Sequence, residues 1–597
     1  MKNRSGQRML GCVLAVTLSA SVQIWASPPG SNDKNDKNDK TDKNDKKEKS
    51  GTSDKSDPLL ATMQAELQRA QTSLSKLDPA PYFLSYSVYD QNIALVLGSQ
   101  GGLVNSIRAR RRTANVSMRI GTPALDNAHG QSRSSGISSG ALPLEDDRDA
   151  VAHELWRLTY EEYRKASKAY ANVKTNTQVH AAEEDTSPDF SEEKPPTHVD
   201  YKNVAPDPDQ RAMEKMARDY SGYFSKYPYI YSSAVAINAQ KTRLHFLSTE
   251  GNHVVAPEAF IRVAIEAETR ATDGMELIRV ETFQAESLDH LPAEAEVVAK
   301  VEKMAADLKA LREAPVAEPF DGPALLSGRA AGVFFHEVLG HRLEGHRQRG
   351  EQEGQTFTKK VGQSVLPDFL TVVDDPTLRT LNGTDLGGWY EYDDEGMPAT
   401  RVEVIKDGIL KNFLMSRMPI KNFGNSNGHG RSQPGLMATG RQGNLIVSST
   451  RTVKDSELRQ KLIDEVKKQG KPYGLYFEDI QGGFTLTQRS MPQAFQVLPV
   501  LVWRVYADGR PDELVRGIDI VGTPLAALNR ILLTGDKTAV FNGICGAESG
   551  QVPVSAAAPA MLFSEIEVQK RAHSLTRPPI LPSPSEGQTG KNAGTKQ

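Results

Sequence analysis

Ala330-Ala331-Gly332-Val333-Phe334-Phe335-His336-Glu337-Val338-Leu339-Gly340-His341 reads as a buried apolar helix carrying two histidines and a glutamate. Neutral imidazoles are good zinc ligands, and a carboxylate beside them can take a proton from a water that the metal activates. The pattern points to zinc-dependent hydrolysis of peptide bonds. The histidines stand five residues apart, whereas the common zinc-protease helix spaces them by four. On an ideal helix, five residues separate them by about 140° around the axis. A single π-bulge would return both to one side, and Gly340 would tolerate the distorted backbone. The bland reading is two hydrogen-bonded core histidines. A second pair, His153-Glu154, falls in an amphipathic helix with no further histidine nearby and reads as surface.

Further blocks lie outward from this stretch. They are Gly322-Pro323-Ala324-Leu325-Leu326 through Leu343-Glu344-Gly345, Leu370-Thr371-Val372-Val373-Asp374-Asp375, and Asp393-Asp394-Glu395-Gly396-Met397-Pro398-Ala399-Thr400. Asn425-Ser426-Asn427-Gly428-His429-Gly430-Arg431 and Asn542-Gly543-Ile544-Cys545-Gly546 follow. In this order and with these gaps, the chain from about Asp321 to Lys570 resembles the TldD/PmbA metalloprotease family. The resemblance implies Zn2+ held by His336, His341 and Cys545, with Glu337 catalytic. It implies an α+β, two-domain TldD/PmbA-like architecture: a mixed α/β N-terminal domain and a strand-rich C-terminal catalytic domain. It further implies peptides or unfolded polypeptide segments as substrate, and a homodimer or a heterodimer with a related subunit.

Two rival classes stand beside the hydrolase. A non-catalytic binding or assembly subunit of such a complex would fit a site that had lost its ligands, and the four residues are intact. A closed structural zinc site would need His346 or His429 as a fourth ligand and would leave Glu337 without a task. The chain departs from the family at His346, where an aspartate is usual, and after Gln481-Gly482-Gly483-Phe484-Thr485, which bears on the substrate pocket.

There are two cysteines. Cys12 lies in an N-terminal stretch expected to be removed, so Cys545 would remain without a disulfide partner. A lone thiol in an exported protein is unusual, and zinc would hold it as a shielded thiolate. The bland alternative is a small buried hydrophobe. Gly543 and Gly546 suit a tight turn that presents the cysteine inward.

Lys2, Arg4 and Arg8 precede an apolar stretch, Met9 to Ala26, which reads as a secretory signal peptide over 1–26. The expected address is periplasmic or secreted, with an uncleaved inner-membrane anchor as the alternative. Residues 27–57 alternate opposite charges without apolar residues and read as a disordered tether. The N-terminal domain is expected over 58–320, the catalytic domain over 321–573, and a disordered tail over 574–597. With 72 basic and 75 acidic residues the formal net charge is −3, and nothing in it suggests a nucleic-acid partner. The four arginines within Arg108–Arg112 read as an exposed strand face or turn.

Periodicity predicts a first helix with Leu60, Met63, Leu67, Leu74 and Leu77 on one face, then strands near 82–88, 93–97 and 114–120. Residues 121–143 are Gly/Ser-rich and read as a loop. Helices are expected near 148–171, 210–224 and 293–312. Strands are expected near 234–238, 242–247, 260–267 and 275–283, and a loop over 314–323. Ser327 is the candidate N-cap of the motif helix. Beyond it the pattern is mostly strands and turns, as in 400–405, 408–415 and 495–507.

Overall fold

The strands expected near 82–88 and 93–97 leave Tyr89-Asp90-Gln91-Asn92 between them as a break. In the computed structural model, which describes residues 12–13, 57–130, 136–179, 185–202, 207–349, 353–489 and 494–571, no turn occurs there. Pro81–Ser99 is a single strand paired along its length with Gly102–Thr122. The Asp90 carboxylate takes Arg110 Nη2 at 2.7 Å and Arg112 Nη2 at 2.8 Å from the neighbouring strand. Cross-strand charge pairing of this kind stabilises a ladder that local propensity would break. Arg112 is buried, so the arginine cluster is only partly an exposed face. The real turn is Gln100-Gly101, with φ of 50° and 83°, the two positive values a type I′ hairpin requires.

Ser232–Ser248, His253–Arg270 and Glu276–Ala285 extend this into an eight-stranded sheet, with the short strand Thr197–Val199 running parallel to His253–Val255. The two expected strands at 234–238 and 242–247 are one continuous strand. The helices Gln210–Gly222 and Glu294–Glu313 bury Met213, Ala217, Val301, Met304 and Leu308 against Val235, Ile237, Val263 and Ile265. Pro58–Leu74 and Arg148–Val179 share a second cluster with Leu84, Tyr86, Val116 and Met118. The first of these helices is capped by Asp57, which accepts from Leu60 N–H at 3.0 Å, with Pro58 opening the helix. The Gly/Ser-rich stretch holds a strand, Ile137–Ala141.

From Phe320 onward the chain supplies eleven strands of a separate twelve-stranded sheet, the twelfth being Cys12–Val13. Its centre is Gly550–Lys570, antiparallel to Phe320–Leu326, Ile518–Gly522 and Ile531–Ala547 and parallel to Asn444–Ser449. The loop expected over 314–323 therefore ends early, in the strand Phe320–Leu326. The motif helix, Gly328–Val338, lies against this central strand. A Cβ at Gly332 would fall 2.8 Å from the Ala556 carbonyl oxygen, so a glycine is what lets helix and strand approach. Phe334 meets Phe495 and Phe563 edge-on, with centroids 5.6 and 5.4 Å away. Sequence reading missed the helix Asp455–Lys468, although Leu458, Leu462 and Val466 mark its buried stripe at helical spacing. The molecule is α+β and rich in strands.

The expected signal peptide and its periplasmic, secreted or membrane-anchored address do not stand. No helix among the described residues is long and apolar enough to cross a membrane. Of the stretch Met9–Ala26, only Cys12 and Val13 are described, and they pair as a short antiparallel strand with Thr485 and Phe484. Thr17, Ser19, Ser21 and Gln23 interrupt the apolar run that prompted the reading. The charged tether up to residue 56 and the tail from 574 lie outside the described residues.

Candidate metal centre

Ser327 caps the motif helix as expected, accepting from Ala330 N–H at 3.1 Å. The helix does not bulge. It ends at Val338, and Gly340–Arg342 forms a tight 3-10 turn. Ending the α-helix between the histidines rotates His341 back toward His336. The rings lie 4.9 Å apart, near perpendicular at 77°. Gly340 serves closeness here: a Cβ would sit 1.9 Å from Gln442 Oε1. Its expected role in relaxing backbone strain is replaced by this packing constraint.

Cys545 arrives from the other side of the sheet sequence. It lies within the strand Ile531–Ala547, opposite Val552, and not in the tight turn its flanking glycines suggested. Its Sγ is 3.4 Å from His341 Nε2. One ligand-type atom from each of His336, His341 and Cys545 lies within 4.8 Å of the others, and all three residues are buried. Burial raises the thiol's pKa, but His341, Arg441 and His336 outweigh it and hold the thiol well below its ordinary range. Both ring nitrogens of His336 and both carboxylate oxygens of Glu337 are buried without a hydrogen-bond partner. Buried polar groups are almost always satisfied, so this many orphans in one place suit the binding of a cation and a polar guest. Two imidazoles and a thiolate suit zinc.

Glu337 Oε2 is 4.0 Å from His341 Nε2. Burial pushes its carboxyl up to about 7, against the pull of both histidines. The altered glycine segment runs directly past it: a Cβ at Gly483 would fall 2.9 Å from Glu337 Cγ.

Sequence reading missed the groups that hold these residues. Glu344 accepts from His341 Nδ1 at 3.0 Å and from Arg347 Nε at 2.7 Å. Burial raises Glu344, but His341, Arg347 and Arg441 overcome this and bring it to about 2. Arg342 Nη1 donates to the Glu337 and Val338 carbonyls at 3.2 and 3.1 Å, closing the helix end, and to Thr485 Oγ1 at 2.7 Å. Arg441 Nη2 donates to the Cys545 carbonyl at 2.9 Å. Gln442 Nε2 reaches the His336 carbonyl at 3.4 Å. The i,i+3 spacing of His341 and Glu344 was a readable signal; nothing local marked Arg441 or Gln442.

The two histidines proposed as a fourth ligand are elsewhere. His429 is buried, with Nε2 3.3 Å from Asp374 and Nδ1 against Asn427. His346 contacts Glu548 and groups with it and Glu344. His153 is exposed beside Trp156, as a surface residue should be.

Two histidines and a cysteine converging beside an unpartnered carboxylate, in an α+β fold, have the makeup of a metalloenzyme centre. Residues 321–570 match the family model of the PmbA/TldA metallopeptidase C-terminal domain. The chain is 29% identical over 250 residues to a metalloprotease TldD homolog of Haemophilus influenzae, covering 41% of this chain and 48% of that protein. It is 26% identical over 249 residues to a zinc metalloprotease TldD homolog of Saccharolobus solfataricus, covering 41% and 51%. The chain thus spans about half the length of the curated relatives it matches. Among solved structures, a candidate modulator of a DNA gyrase from Thermotoga maritima superposes with a TM-score of 0.56 at 15% identity, over 85% of this chain and all of that one. TldE from Thermococcus kodakarensis superposes with a TM-score of 0.54 at 15% identity, again over 85% and 100%. These likenesses extend the shared fold well beyond the matched segment.

Proposed function

We propose that this protein is a zinc-dependent metallopeptidase acting on peptides or unstructured polypeptide segments. The observation that carries the reading is the convergence of His336, His341 and Cys545 beside the orphaned carboxylate of Glu337. His336, His341 and Cys545 would hold the ion. Bound there, zinc would supply Lewis acidity toward water and the scissile carbonyl at neutral pH. Glu337 accepts the proton of the attacking water and delivers it to the leaving amine. Its raised proton affinity matches that exchange, because an acid–base group works best when its pKa lies near the working pH. Glu344 holds the His341 ring so that Nε2 faces the thiolate, and Arg441 adds positive charge beside Cys545. The zinc metalloprotease name of the Saccharolobus relative supports the choice of ion. Pairing with a second copy or a related chain belongs to the same proposal, as the family resemblance implies.

The test is metal content and cleavage of an unstructured peptide on the same preparation, with and without chelator. We expect about one zinc at this centre, and Cys545→Ala should lose both zinc and cleavage. Full zinc occupancy with normal cleavage in that variant would overturn the ligand set. Zinc bound without cleavage in the wild-type chain would favour a binding or assembly subunit.

A further inference from the structure

A second set of donors converges far from this centre in sequence, at the seam between the two sheets. His198 stands on the short edge strand Thr197–Val199, and Asp200 follows it directly. Glu391 comes from the C-terminal half, two residues before Asp393. One ligand-type atom from each lies within 4.8 Å of the others. His198 Nε2 is shielded from solvent yet makes no hydrogen bond. Glu391 Oε2 lies 3.5 Å from it, too far for an N–H···O bond. It is, however, close to the roughly 3.4 Å edge of a tetrahedron built from ~2.1 Å metal–ligand bonds. The imidazole is held in place by the Tyr392 ring, 4.8 Å between centroids and tilted 31°. Its strand is anchored by pairing of His198 with Val254.

We propose that His198, Asp200 and Glu391 form a second divalent-cation site, of the zinc class, that ties the N-terminal sheet to the C-terminal half. One neutral imidazole and two carboxylates are a donor set such ions favour. Asp200 is half-buried, and its Oδ1 accepts from the Lys202 N–H at 2.7 Å. The contrast with Glu344, His346 and Glu548 is instructive. That group also converges, but Arg347 pairs with Glu344 at 2.7 Å and with Glu548 at 2.9 Å, and Arg441 lies 3.5 Å from Glu344. Its negative charge is already neutralised. Glu391, in contrast, has His198 as its ion-pair partner among the described residues, and no arginine.

The experiment uses the full chain with His336→Ala and Cys545→Ala, which removes the first centre, so its outcome is independent of the peptidase reading. Zinc is titrated into it by equilibrium dialysis, and melting is followed with and without zinc. One zinc per chain should remain, with a rise in Tm of about 3 °C at saturating zinc. Adding His198→Ala, or separately the shape-preserving Glu391→Gln, should weaken this binding by on the order of tenfold or more, since even outer-shell changes cost that much. The Tm rise should vanish with it. No zinc bound in the background chain, or zinc and Tm shift unchanged by both substitutions, would overturn the site.

Discussion

Glu344 Oε1 accepts a hydrogen bond from His341 Nδ1 at 3.0 Å, both side chains being fully buried. The bond places the proton on Nδ1 and turns the Nε2 lone pair, 3.4 Å from Cys545 Sγ, into the atom that would ligate a metal. Removing the acceptor should release the ring. Glu344→Gln keeps the shape but not the charge, and we expect zinc affinity to fall about 10–100-fold, read by competition with a chromophoric chelator. Unchanged affinity would reduce Glu344 to a partner of Arg347 and Arg441.

Glu337 follows the proposed ligand His336 by one residue, and on a helix that offset is about 100°. Glu337→Gln should therefore spare zinc content while lowering single-turnover peptide cleavage by about 10²–10⁴-fold. Loss of zinc together with activity would make Glu337 a ligand or a prop for the site.

The metal-free protein should lose stability as pH rises through the neutral range. Burial raises Glu337 from 4.5 to about 7, so the folded state binds its proton more tightly than the unfolded chain does. The contribution is absent at acid pH and becomes unfavourable between about 4.5 and 7, by on the order of 3 kcal/mol. Glu344, lowered to about 2, acts with the opposite sign, but its window lies below 4.5. The Tm of chelator-treated protein should fall between pH 5 and pH 8, and Glu337→Gln should flatten the fall. Glu395, Glu258 and Glu162, each raised to about 7 by burial, leave a residual slope. An identical slope in the variant would show that Glu337 is not its source.

Gly340 has no room for a side chain, since its Cβ would meet Gln442 Oε1 at 1.9 Å. Gly340→Ala should cost about 1–3 kcal/mol and displace His341, weakening zinc binding. The double variant Gly340→Ala, Gln442→Ala should recover much of the stability, measured by urea denaturation. Failure of the second change to rescue would place the constraint on the backbone.

The chemistry-bearing residues His336, Glu337, His341 and Cys545 stood out in the sequence because their types are rare in an apolar setting. Local periodicity also showed the N-terminal helices, the motif helix and its Ser327 cap, which rest on contacts within a few residues, though Asp455–Lys468 was overlooked. The length of the strands was hidden, because Asp90 breaks the pattern locally and only Arg110 and Arg112, some twenty residues on, make it a strand position. The way the two histidines meet was hidden as well. A helix that stops and a 3-10 turn pressed on Gln442 satisfy the same spacing as a π-bulge, and the choice depends on a side chain a hundred residues away. The same holds for Cys545, whose strand position is set by pairing with Val552, and for Glu391 beside His198. Residue type and short spacing are properties of the chain itself. Burial, charge neutralisation and the convergence of distant donors exist only once the sheets have paired.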